Sequence, residues 1–126
     1  MQPGLTSARP ISLGLDVLSV LVFVVIGRAT HTKGDTVAGI ASTAWPFLAG
    51  MVAGWLAGRA WKRPTAIVPT GVAAWLGCAA LGMTFRVIAG QGTAFAFILV
   101  ALAFLGATML GWRLAWRLLA SARRPA

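Results

Sequence analysis

Four stretches of the chain stay apolar for about twenty residues each: about Ile11 to Gly27, Thr36 to Ala57, Ile67 to Phe85, and Thr93 to Leu110. Each is bounded by charge or by proline and glycine, and together they use up most of the 126 residues. A helix of that length crosses the ~30 Å hydrocarbon layer of a bilayer. Only 10% of the residues are charged, where a soluble domain carries about 25%. With 59% hydrophobic residues and a mean hydropathy of +0.85, a soluble fold could not cover its own surface. Backbone groups in lipid must be satisfied within the segment or in a closed barrel. Barrel strands alternate apolar and polar residues, and "LDVLSVLVFVVIG" does not. The sequence therefore predicts an all-α polytopic membrane protein: a single four-helix transmembrane domain over residues 1–126, with a basic tail over 111–126.

The net charge of +9 follows the same logic. In a soluble protein it would suggest nucleic acid; here the cations lie between greasy spans, so no nucleic-acid partner is expected. Arg9, Arg59, Lys62, Arg63, Arg113, Arg117, Arg123 and Arg124 fall on one side, eight in all, against Arg28, Lys33 and Arg86 on the other. The positive-inside rule then puts both termini in the cytoplasm. Asp16 interrupts the first apolar run, and no small-x-small cleavage site follows it, so that run reads as a retained helix rather than a signal peptide. The single cysteine, Cys78, can form no internal disulfide, and one histidine makes no metal cage.

The chain also reads as two helical hairpins in tandem. "FVVIGRATHTKGDT" and "LGMTFRVIAGQGT" each carry an apolar run, an arginine, a glycine six residues on and a threonine soon after. Chance similarity between apolar segments accounts for the match equally well. Gly50, Gly54 and Gly58 recur every fourth residue and give the second helix a smooth face, widened by Ala49, Ala53 and Ala57. Ala74, Cys78 and Gly82 do the same for the third helix, and Ala103, Ala107 and Gly111 for the fourth. Such faces serve packing within the bundle or association with a second copy or a larger membrane complex. Pro46 removes a hydrogen bond inside the second helix, while Pro69 opens the third, where proline is welcome.

Of six tryptophans, Trp61, Trp112 and Trp116 fall at the cytoplasmic boundary, as an aromatic belt does. Trp45, Trp55 and Trp75 lie deeper, where an indole N–H needs a partner on a neighbouring helix or lines a cavity.

Two polar groups stand out. In "VVIGRATHTKGD", Arg28 and His31 share a helix face three residues apart, and Arg86 ends the third span at the same height. Converging, they would form an outward-facing anion site; otherwise the arginines snorkel to the outer headgroups. Asp35 reads as the N-cap of the second helix. Asp16 is the one acid within any span, and intramembrane acids are functional candidates by default. Arg59 and Arg113 are its expected partners, in a structural pair or a proton- or cation-coupling group; the alternative is simple exposure at the interface. Ser12, one turn earlier, reads as an N-cap that places Asp16 favourably on the helix dipole. No catalytic triad, H-E-x-x-H, phosphate loop or C-x-x-C is present, so neither an enzyme nor a cofactor is expected. Met51, Met83 and Met109 read as core or lipid-facing residues.

The segments "LDVLSVLVFVVIGRATH", "WPFLAGMVAGWL" and "GMTFRVIAGQGTAFAFILVALAFL" resemble a family of small four-helix membrane proteins of bacteria and archaea, domain of unknown function DUF3054, which has many actinobacterial members. The resemblance covers about residues 11 to 117, with Asp16, Gly27, Arg28, His31, Pro46, Gly50, Gly54, Arg86 and Gly90 at matching positions. It implies a fold and a prokaryotic plasma-membrane address, and no mechanism. Two functions compete: a small transporter-like or binding protein for an anionic or amphipathic solute, and an accessory subunit docked through its glycine-rich faces.

Overall fold

The computed structural model describes residues 3–30, 37–91 and 94–122. It is all-helical among the described residues, with α1 over Pro3–Thr30, α2 over Val37–Gly58, α3 over Ile67–Ile88 and α4 over Phe95–Ala122. All four are long and apolar enough to cross a membrane. Only 22–33% of the most apolar window of each is buried inside the bundle, so the remainder is available to acyl chains. The chain is a multi-pass membrane protein.

The helices stand in a ring in chain order, α1 against α2 and α4, and α3 against α2 and α4. Neighbours run antiparallel. Arg28, Asp16 and Arg9 of α1 meet, in turn, Thr43 and Trp55 of α2 and the carbonyl of Trp61 just beyond it. The inward faces follow the helical period: Ala8, Ser12, Asp16, Val20 and Val24 of α1, and Ala101, Leu105, Met109 and Arg113 of α4. Phe23, Phe47 and Phe97 pack edge-to-face and stacked at centroid distances of 5.5–6.0 Å, filling the half of the core nearer the Arg28 end.

In lipid, tight van der Waals contact replaces the hydrophobic drive between helices, and α2 meets α3 through its glycines. A methyl group added at Gly50 would strike the carbonyl of Gly77, and one at Gly54 the carbonyl of Ala73. One at Gly58 would come within 2.7 Å of the Ala73 side chain. The strip of α3, Ala74, Cys78 and Gly82, is likewise buried. The strip expected on α4 is not: Ala103, Ala107 and Gly111 face outward, because the buried row is offset by two residues.

Three local expectations are corrected. Ser12 is no N-cap, since α1 starts nine residues earlier, at Pro3, and carries Ser12 in its interior. The expected tail from residue 111 is helical to Ala122, about three turns beyond Leu110; Arg113 faces the core there and holds α4 to the bundle. And α3 is not a uniform α-helix: Ile67–Gly71 and Gly77–Leu81 form wider π-type turns. Val68, just before Pro69, is extended, as a residue preceding proline prefers. Asp35 and His31 lie outside the described residues.

Gly54→Leu should destabilise the bundle by ~3 kcal/mol or more, the upper end for overpacking, because backbone blocks the new side chain. Gly111→Ala, with nothing within 4 Å of the added carbon, should be neutral or slightly stabilising. Thermal unfolding in detergent checks both.

Candidate functional site

Two polar constellations lie about 18 Å apart along α1, one helical rise for each residue between Asp16 and Arg28. The deeper one centres on Asp16, which is fully buried. Arg113 meets it end-on, Nη1 donating to Oδ1 at 2.8 Å and Nη2 to Oδ2 at 2.7 Å. Trp112 Nε1 donates to Oδ1 at 3.0 Å and Trp55 Nε1 to Oδ2 at 2.8 Å. Each carboxylate oxygen thus accepts two hydrogen bonds, the full capacity of the group. Arg113 is equally engaged: Nε donates to the carbonyl of Pro64 at 3.1 Å, Nη1 also to that of Met109 at 3.1 Å, and its guanidinium lies 4.4 Å from the Trp112 ring. Gly71 makes the room, since a side-chain carbon there would come within 2.9 Å of Arg113 Cδ.

Arg113 was legible as the partner of Asp16; Arg59 is not one. The chain turns at Arg59 with a positive φ of 53°, closing α2 through a hydrogen bond from Ala60 N to Trp55 O, and the side chain is exposed. Trp112, expected in the interfacial belt, instead donates inward to Asp16. The signal lay in its place beside Arg113, which carries both residues to the same level. Trp55 and Trp75 do meet neighbouring helices, Trp75 Nε1 donating to Leu102 O at 2.9 Å. Trp45 instead stacks on Phe85 and remains half exposed. Ser12, one turn from Asp16 on the same face, is 1% exposed, and its hydroxyl has no hydrogen-bond partner among the described residues. Ser19, by contrast, donates back to Leu15 O.

The second constellation surrounds the opening turns of α2. Arg28 Nη1 donates to Thr43 Oγ1 at 3.0 Å. Arg86 Nη1 donates to Gln91 Oε1 at 2.8 Å, and Gln91 Nε2 donates to Ser42 O at 3.1 Å. The two arginines, from different helices, are thereby tethered to consecutive residues of α2. The Arg86 guanidinium lies 4.6 Å from the Phe97 ring and 5.9 Å from that of Phe47, so its charge rests on the aromatic core. His31, the third expected member, lies outside the described residues. No group of metal-ligating side chains occurs among the described residues.

The sequence model of the family described as "Protein of unknown function (DUF3054)" matches residues 13–116, and the chain belongs to that family. No curated protein and no solved structure matches it.

Asp16→Asn should lower stability by ~3–5 kcal/mol, because it leaves the Arg113 charge buried and uncompensated. Adding Arg113→Gln should recover part of that loss, which unfolding in detergent measures as a double-mutant cycle. Ser12→Ala should raise stability by ~1 kcal/mol by removing an unsatisfied hydroxyl; a lowered midpoint would mean that the hydroxyl has a bond.

Proposed function

We propose that this DUF3054 protein is a small binding or transporter-like protein for an anionic or amphipathic solute, taken at the end of the bundle where Arg28 and Arg86 stand. One observation carries the reading: two arginines from α1 and α3 are fixed to Ser42 and Thr43, neighbours on α2, by the Thr43 hydroxyl and by Gln91. A guanidinium presents a planar fork that matches carboxylate or phosphate, and fixing it beforehand reduces the ordering cost of binding. Phe97 beneath Arg86 adds an apolar surface suited to an amphiphile. His31, three residues beyond Arg28, joins the site in this proposal. The eight-to-three distribution of cations supports an outward-facing site in the plasma membrane, with both termini cytoplasmic.

The reading involves no catalytic step. It also assigns no coupling role to Asp16, whose oxygens are filled by four donors, so that protonation must break one of those bonds. The alternative, an accessory subunit docked through its glycines, has less support, because Gly50, Gly54 and Gly58 lie against α3 of the same chain.

Calorimetric titration of the detergent-solubilised protein with octanoate, and with octanol as its uncharged counterpart, tests the proposal. Octanoate should bind and octanol should not. Arg28→Ala and Arg86→Ala should each weaken binding by roughly tenfold to a hundredfold, the worth of a charge-assisted hydrogen bond, with unfolding midpoints close to that of the parent. If octanoate, an alkyl phosphate and an alkyl sulfate all fail to bind, or bind the arginine variants unchanged, the reading is wrong.

A further inference from the structure

The opposite end of the bundle carries an open recess flanked by two arginines. Residues 63–68, the connection from α2 into α3, form one wall of an open recess of about 480 Å³; Arg117 of α4 forms the other. That volume lies within the range of about 300–1,000 Å³ typical of small-molecule sites. Arg63 and Arg117 are both exposed, and neither side chain makes an ion pair or hydrogen bond among the described residues. The sequence offers them no acid: Asp16 is committed to Arg113, and Asp35 falls in the connection between α1 and α2.

The wall is rigid. The carbonyl of Arg63 accepts from Thr70 Oγ1 at 2.5 Å and from Ala66 N at 3.1 Å. That of Pro64 accepts from Arg113 Nε at 3.1 Å, and that of Ala66 from Gly71 N at 3.0 Å. Three donors, Thr70, Gly71 and the guanidinium that binds Asp16, hold the segment that carries Arg63. Apolar surface adjoins the cations: Val68 is 69% exposed, and Leu114 and Leu118 are exposed on α4 near Arg117. Trp61 and Trp116 mark the same end of the bundle, as residues at a headgroup boundary do.

We infer that this recess binds the headgroup of an anionic phospholipid, with Arg63 and Arg117 clamping its phosphate and the acyl chains descending over Val68 and Leu114. The apolar surface beside the two cations favours a lipid over a free phosphate ion, which would have no use for it.

Native mass spectrometry of the full chain, delipidated in detergent and titrated with phosphatidylglycerol or phosphatidylcholine, tests this. Phosphatidylglycerol should remain bound at low stoichiometry after phosphatidylcholine is lost. Each arginine on the headgroup is worth about fivefold in affinity, so Arg63→Gln with Arg117→Gln should weaken retention by about twenty-five-fold. The charge-matched variant Arg59→Gln with Lys62→Gln, on the same connection outside the recess, should keep most of the affinity. Equal losses in the two double variants would show diffuse attraction and overturn the site. Binding of inorganic phosphate that depends on Arg63 and Arg117, seen by phosphorus NMR without phosphatidylglycerol binding, would overturn the lipid assignment.

Discussion

The ion pair between Asp16 and Arg113 is the constraint around which the rest of this bundle is arranged. The two residues are 97 positions apart and are 0% and 1% exposed. Moving two charges out of water is expensive, and mutual attraction offsets that expense only when the remaining donors and acceptors are also satisfied. Here they are satisfied by every part of the surrounding structure. Trp55 comes from α2, Trp112 from α4, the Pro64 carbonyl from the connection into α3, and Gly71 of α3 supplies the space. α1 and α4, the first and last helices, are thereby closed into a ring.

The two ends of the molecule divide the work differently. Around Asp16 the polar groups are turned inward and consumed by one another. Around Arg28 and Arg86 the hydrogen bonds run instead between helices, through Thr43 and Gln91, to the opening turns of α2. Arg113, by contrast, is spent on the fold, and the segment it anchors presents the exposed Arg63 at the other end of the bundle. Between the two ends, α2 and α3 approach so closely through Gly50, Gly54 and Gly77 that backbone meets backbone. That contact fixes the relative height of the helices and hence the register of both polar ends.

Much of this was legible in the chain. Asp16, alone among the apolar spans, demanded a cation, and Arg113 was within reach. Arg59 satisfied the same sequence criteria and fails for a local reason: the left-handed turn that ends α2 carries it outward. Trp112 satisfied the compositional rule for an interfacial residue and is instead a ligand of the buried carboxylate. The small residues Ala103, Ala107 and Gly111 of α4 lie two residues out of phase with its covered row, because small residues mark close approach only when they lie on the face that a neighbour covers. On α2 they do; on α4 the covered row is Ala101, Leu105 and Met109.

Length, hydropathy and the scarcity of charge were sufficient to determine four membrane-crossing helices, because a backbone in hydrocarbon has few ways to satisfy its own hydrogen bonds. The sequence also determined that Asp16 must be paired, since an isolated charge in lipid is too costly to leave alone. Only the tertiary structure decided which arginine and which indoles meet it, which glycines become contacts, and that Arg28 and Arg86 are anchored to adjacent residues of α2. Those outcomes depend on the rotation and relative height of each helix. Those are set by side-chain packing between segments distant in the chain, and the apolar pattern of a single helix does not encode them.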